Sequence, residues 1–343
     1  MFGSSVAIMD APVEGYVLHT YGPPRYLRHA VASVVTLRRY DPTRPVALFC
    51  PPAHQDVLEH HGLTGLFQHL APLPSAHRSI VGFKHHLPQF APFDRSLFVD
   101  ADMIWCRNPD PLWTRLSTFT FTATGLPKAD FFFGGPKGAG VLLDILLNRR
   151  GRTLRRFGLT YLPRVQAGMI YLQDQHMGEE VCRHARRFLD ERADTHFRSR
   201  LDEGRSEETC EWSLAMAMSR LELPIFPWLQ GHESPQMDYI DSLTTHDAGF
   251  HNVTCQYYTT SLVYGLRGLG HRRLREVLMQ SAARLPGCGD FLEVTPFVVH
   301  FGWLHQKAPF HAFADRIWQQ LEADGPARVV PGMAHPSAAA SSR

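Results

Sequence analysis

The sequence predicts an α/β fold, with a mixed and mostly parallel central sheet covered by helices on both faces. Three observations predict it. Apolar runs of strand length recur at residues 16–20, 46–50, 66–70 and 97–99. Segments of helical character separate them, and that alternation argues parallel strands joined by crossover helices. The chain has 343 residues, 44% hydrophobic and 20% charged, which is enough to bury a sizeable core and too apolar for a disordered chain.

Each element has its own signal. Residues 1–13 read as a loose lead-in. The first strand, 16–20, ends at His19 and Thr20, and Gly22-Pro23-Pro24 turns the chain. From 26 to 39, Leu27, Ala30, Val31, Val34 and Val35 fall on one helical face. The strand 46–50 stops at Pro51-Pro52, and a short helix follows near 55–60. After the third strand, a polar loop and a short helical segment around Lys84 lead to the strand at 97–99. The second half is more mixed. Strands are expected at 118–122, 130–133 and 165–172, the last centred on Gln166-Ala167-Gly168-Met169. Gly134-Gly135-Pro136-Lys137-Gly138 matches neither the phosphate-loop nor the dinucleotide pattern and reads as a turn into a helix over 141–148. Helices are expected over 178–192 and 207–220, the latter with Ser206 as N-cap and Glu207 and Glu208 at its positive end. A late buried strand, 297–300, and a final helix, 311–322, complete one domain over 1–325. The stretch 326–343, rich in Pro, Ala and Ser, reads as a disordered tail.

Composition narrows the function. The formal charge of +2 gives no argument for a nucleic-acid partner. The arginine runs at 149–156 and 267–275 read first as solvated helix faces, with peripheral contact to an anionic surface as the alternative. The six cysteines have neither zinc-knuckle nor redox spacing, and Cys50 and Cys106 sit in apolar surroundings, as expected in a reducing, cytoplasmic setting. No signal-peptide pattern and no apolar run of membrane-spanning length is seen, so no transmembrane segment is expected.

The chemistry concentrates where the strand at 97–99 ends, in Asp100-Ala101-Asp102. With 19 aspartates in the chain, about one Asp-x-Asp arises by chance. Its context matters more, because a carboxylate closing a buried strand is costly unless something positive faces it. Mg²⁺ or Mn²⁺ suits two convergent carboxylates and commonly bridges substrate phosphates. In open α/β sheets ligands bind at the carboxyl ends of strands, where Asp100, Asp102, His19 and Thr20 all stand.

Further features line up with the acidic pair: Lys84, sixteen residues upstream; Gln166-Ala167-Gly168, on an apolar strand; and Val298-Val299-His300-Phe301-Gly302, followed by Lys307. In this order, over roughly residues 15–310, the chain resembles the GT-A-fold glycosyltransferases, most closely glycosyltransferase family 8. The resemblance implies a GT-A, Rossmann-like sheet and transfer of a hexose from a nucleoside-diphosphate sugar, expected to be a UDP-sugar, to a glycan, lipid or protein acceptor with retention. It implies Mn²⁺ or Mg²⁺ held by Asp102 and His300, with Asp100 touching both the metal and the donor ribose and Ala101 lining the donor between them. His19, Thr20 and Tyr26 would border the nucleotide, Lys84 the donor sugar or diphosphate, Gly168 the sugar, and Lys307 the diphosphate. Gln166 stands where the family has Asn, and Glu211-Trp212 is the best match to its Asp-Gln pair, so Gln166 and Glu211 are the catalytic candidates. On composition alone Glu211 reads as an exposed helix residue, and Gly168 as a close-packing position. His60-His61 and His85-His86 are adjacent pairs whose rings diverge on a helix, so neither reads as a metal site.

Two other functions fit part of this pattern. A haloacid-dehalogenase-type phosphohydrolase also places Asp-x-Asp after an apolar strand, but its motif normally opens the domain, whereas here it lies 100 residues in. A degenerate transferase that binds nucleotide-sugar without turnover would explain the altered sugar-side positions.

Overall fold

The computed structural model describes residues 12–127, 146–202 and 204–330. Its main sheet has seven strands. β1 (Glu14–His19), β2 (Val46–Cys50), β3 (His69–Pro72) and β4 (Arg95–Val99) lie parallel in the order β3-β2-β1-β4. β7 (Arg164–Leu172) then runs antiparallel beside β4 and beside β6 (Phe121–Leu126), and β8 (Phe226–Pro227) closes the far edge parallel to β6. The sheet is mixed and mostly parallel, as expected.

Side-chain alternation builds a core on each face. Tyr16, Leu18, Leu97 and Val99 point to one side, where helices α1 (Pro24–Arg38) and, near the C-terminus, α10 (Ala308–Asp324) cover them. Val17, Phe98 and Ile170 point to the other, beneath α6 (Gln175–Asp190) and α7 (Glu211–Arg220). Local signals start these helices where they begin. Pro24 opens α1 with no N–H to satisfy, and the Asp174 carboxylate caps α6 by accepting from the Met177 N–H.

A second sheet sits beside the first. β5 (Met103–Trp105) pairs antiparallel with the end of β12 (Phe291–His300), which also pairs with β11 (Val253–Tyr258) and, in parallel, with β9 (Glu233–Asp238); β10 (Thr244–His246) extends β11. The chain leaves the first sheet at Val99 and enters the second at Met103, so Asp100-Ala101-Asp102 is the hinge between them. Met103 and His300 are partners in the register, which carries His300 to that hinge across about two hundred residues of chain.

Several expectations shift. The third strand runs over His69–Pro72 and not 66–70, because Thr64–Leu66 forms a 3₁₀ turn. The strand expected at 118–122 is β6, displaced toward Leu126, since Ser117 to Phe119 finish the turns that close α4 (Asp110–Leu116). The helix expected over 207–220 begins at Glu211, and Ser206 does not cap it. Its acids serve the preceding loop: Glu207 accepts from the Tyr21 hydroxyl and the Ile80 N–H, while Glu208 accepts from Ser199 and the Arg200 N–H. Helix α6 spans Gln175–Asp190 rather than 178–192. The supposed tail begins with a short helix, α11 (Pro326–Val329). The strand at 130–133, the turn at 134–138 and most of the helix at 141–148 lie outside the described residues.

The arginine runs divide. At 149–156 they belong to α5 (Arg149–Phe157), where Arg152, Arg155 and Arg156 are exposed. Arg267 and Arg275 are buried and are not solvated as expected. Arg275 donates to Asp241 and to the Leu269 carbonyl, an ion pair that lets a charge leave water. All six cysteines are free, and Cys50 and Cys106 are buried in the main core. No helix among the described residues is long and apolar enough to cross a membrane.

Candidate metal and donor site

Three side chains meet at the hinge between the sheets. One ligand atom each from Asp100, Asp102 and His300 lie within 4.8 Å of one another, and this is the one such cluster among the described residues. His300 Nε2 is 3.5 Å from Asp102 Oδ1 and 3.8 Å from Asp100 Oδ2. Backbone bonds hold the hinge on both sides. The Asp100 N–H donates to the Gly168 carbonyl of β7, and the Phe301 N–H donates to the Asp102 carbonyl.

Two lysines flank the carboxylates. Lys84, the last residue of α3 (Ile80–Lys84), donates from Nζ to Asp100 Oδ1 at 2.6 Å and to the Ala167 carbonyl at 2.7 Å. Lys307, at the start of α10, donates to Asp102 Oδ2 at 2.6 Å. Burial alone would drive both amines toward neutrality, but Asp100 and Asp102 outweigh it and hold them protonated above their ordinary values. In return, burial acts to raise the Asp102 carboxyl, yet Lys307 and His300 hold it well below the usual carboxylate range.

His300 is oriented from behind by a residue that carries no signal in the sequence. Asp238, the last residue of β9, is the register partner of His300, and its Oδ1 lies 3.0 Å from His300 Nδ1. With Nδ1–H bonded to Asp238, an ion that displaced the Nε2 proton would find the lone pair directed at the space beside Asp100 and Asp102, the tautomer a metal ligand needs. Burial acts to lower this imidazole, but Asp102 and Asp238 raise it to about 10 in the metal-free state. Trp303 Nε1 also donates to Asp238, at 3.1 Å. Gly302 makes room for the ring, since a Cβ there would fall 2.6 Å from His300 Cε1.

Gln166 belongs to the same buried network. Its Nε2 lies 2.5 Å from Asp238 Oδ1 and 3.1 Å from His300 Nδ1, and its Oε1 accepts from Gln236 at 3.0 Å. Gly168 is required by the protein's own packing: a Cβ there would stand 2.8 Å from Gln236 Oε1 and from Met103 Cε. Glu211 is half-buried at the first turn of α7, so the exposed position expected for it is corrected. Burial, opposed by Lys84 and reinforced by Asp238, lifts its carboxyl to about 7.

The remaining candidates line the strand ends nearby. His19 stacks between Phe83, at 3.9 Å between ring centroids, and Tyr21 at 5.7 Å. Burial first, then the Lys84 charge, push its imidazole down to about 3, so it is neutral. Thr20 is buried and shares a 3.0 Å hydrogen bond with His54 Nδ1, while His54 Nε2 lies 3.2 Å from the Gly22 carbonyl. Tyr26 sits in the first turn of α1, with Arg25 5.2 Å above its ring. Ala101 packs partly against the main core. His85 is bonded to Ser213 and His86 to the Gly82 carbonyl, so those rings diverge as expected, whereas the rings of His60 and His61 meet edge to face with centroids 5.0 Å apart.

No family model matches the chain, and no curated protein matches it in sequence. Among solved structures it is similar to the galactosyltransferase LgtC in complex with donor and acceptor sugar analogues, at 10% identity and a TM-score of 0.46 over 91% of this chain and 95% of that one. It is also similar to mouse xyloside xylosyltransferase 1, at 12% identity and a TM-score of 0.43 over 66% and 88%. A third neighbour is the glycosyltransferase GlyE of Streptococcus pneumoniae TIGR4, at 13% identity and a TM-score of 0.41 over 90% and 64%.

Proposed function

We propose that this chain is a metal-dependent glycosyltransferase of the GT-A type, moving a hexose from a nucleoside-diphosphate donor, a UDP-sugar, to a glycan, lipid or protein acceptor with retention. One observation carries the reading: two carboxylates and an imidazole converge within 4.8 Å, with a lysine paired to each carboxylate. The donor set fits Mn²⁺ or Mg²⁺, because two oxygens and one His lone pair leave coordination positions for phosphate oxygens. Asp100, Asp102 and His300 would hold the ion, which when bound supplies Lewis-acid charge to a diphosphate leaving group.

The chain's own groups do the rest. Lys84 and Lys307 hold protonated amines beside the carboxylates and are placed to neutralise phosphate oxygens that would approach the same point. His19, Thr20 and Tyr26 stand at the end of β1 and the start of α1, on the side proposed for the nucleotide. Gln166 acts as a positioning residue, since its amide is committed to Asp238 and Gln236. Glu211, whose carboxyl is raised to about 7, would exchange a proton with a sugar hydroxyl or accept a hydrogen bond from it. Retention needs no strong base here, because the leaving phosphate can take the acceptor proton, and no residue is assigned as nucleophile.

The test is thermal. UDP with Mn²⁺ should raise the melting temperature more than either alone, because a ligand that binds only the folded state stabilises it. No shift with any nucleoside diphosphate, together with turnover of p-nitrophenyl phosphate, would replace this reading with a phosphohydrolase. Binding without hydrolysis or transfer would leave a non-catalytic nucleotide-sugar binder.

A further inference from the structure

Of the eleven large hydrophobic residues that stand exposed among the described residues, six lie between positions 262 and 291: Leu262, Leu274, Val277, Leu278, Leu285 and Phe291. They cluster on α8 (Ser261–Leu266), α9 (Arg272–Ala283) and the residues that follow. On α9, Arg275 and Met279 face inward, and Met279 packs with Val263 of α8, Ile240 and Leu243 in a small core of its own. At about 100° per residue, Leu274, Val277 and Leu278 share a different face, Ser281 continues its line, and exposed Leu285 follows just past the helix end. This stripe faces solvent, with Val277 60% exposed. A soluble helix would place charges there.

Cations border the stripe along its free edge. Arg273 and Arg284 are exposed and lie eleven residues apart, three turns on one flank of the helix. The segment 261–291 holds five arginines against Glu276 and Asp290, and Glu276 is already matched by Arg272 at 2.9 Å. An apolar stripe with a basic flank fits an anionic lipid headgroup layer, which takes the apolar side chains at the acyl boundary and the guanidinium groups at the phosphates. A second copy of the chain fits less well, because a two-fold contact through the stripe would bring like arginine rows together.

The surface also adjoins the site. Gly268, between α8 and α9, lies against Trp303: a Cβ there would be 3.3 Å from the indole. Trp303 in turn donates to Asp238, the residue behind His300. We propose that the outer face of α8–α9 docks this protein on an anionic membrane surface, with Leu274, Val277, Leu278 and Leu285 inserted and Arg273 and Arg284 on lipid phosphates.

Co-sedimentation of the full chain with vesicles tests this without any nucleotide or metal. Phosphatidylglycerol–phosphatidylcholine vesicles should bind at least tenfold more tightly than phosphatidylcholine vesicles. Val277→Glu with Leu278→Glu should lower that affinity at least tenfold with an unchanged melting temperature. Arg273→Glu with Arg284→Glu should abolish the preference for the anionic lipid. No binding of the wild type to anionic vesicles would overturn the proposal. So would unaltered binding in the 277/278 variant, or a concentration-dependent dimer dissolved by that variant in a protein that ignores vesicles.

Discussion

Glu211 offers a test that needs no substrate. Its carboxyl sits half-buried at the start of α7, and loss of hydration holds it at about 7 against an ordinary 4.5, despite the opposing Lys84 charge. Between those values the folded protein keeps a proton that the unfolded chain has released. Stability is therefore favoured below pH 4.5, falls as pH rises through the interval, and carries the full penalty above pH 7. A shift of this size corresponds to about 3 kcal/mol, lowered to roughly 2 by the partial solvent access of the side chain. Glu211→Gln keeps the shape and removes the titration. Urea unfolding of both proteins in EDTA from pH 5 to pH 8 measures the difference, in which every other titrating group cancels to first order. Because the unfolded carboxyl is already mostly ionised at pH 5, the Gln variant should exceed the wild type by about 0.8 kcal/mol there and by about 2 kcal/mol at pH 8. A stability difference that stays constant with pH would mean that the carboxyl is not held protonated, and the argument for its lost hydration would fail.

Other consequences follow from the same geometry. Asp238→Asn should weaken Mn²⁺ binding by about 10- to 100-fold, measured by calorimetry, because the charged carboxylate that accepts from His300 Nδ1–H becomes a neutral amide that can also donate, so the tautomer is no longer fixed. Nitrogen NMR of His300 should report the changed protonation pattern in the same variant. Gly168→Ala should destabilise the fold by about 1–3 kcal/mol by thermal or urea unfolding, since the methyl meets Gln236, Met103 and the His300 ring. Asp102→Asn should remove metal-dependent donor hydrolysis, a loss of about a hundredfold or more, while circular dichroism stays native. Unchanged hydrolysis in that variant would refute the assignment of the ion.

The parts of the fold that were legible share one property: their signal is local. β2 lies at 46–50 as its unbroken apolar run and Pro51 require, and α1 follows from an apolar face repeated every three to four residues. β9 was hidden because it reads Glu-Ser-Pro-Gln-Met-Asp, polar and interrupted by Pro235, although most of it is buried against β12. The start of α7 was misread because acids before a helix look the same whether they face its N-terminus or cap a loop. Glu207 does the second, and its partners Tyr21 and Ile80 lie more than a hundred residues away in the chain.

The sequence by itself pointed to the chemistry proposed here, through two carboxylates at the end of a buried strand, with Lys84, His300 and Lys307 as companions. It also determined the sheet that presents them, since apolar periodicity is a local property of the chain. The tertiary structure alone decided which groups touch. His300 reaches Asp102 through the pairing of β12 with β5, and Asp238 reaches His300 through the pairing of β9 with β12. The same was true of charge. Glu211 and Arg275 read as solvated residues, yet the first is half-buried and the second buried, because burial depends on neighbours that arrive from distant parts of the chain.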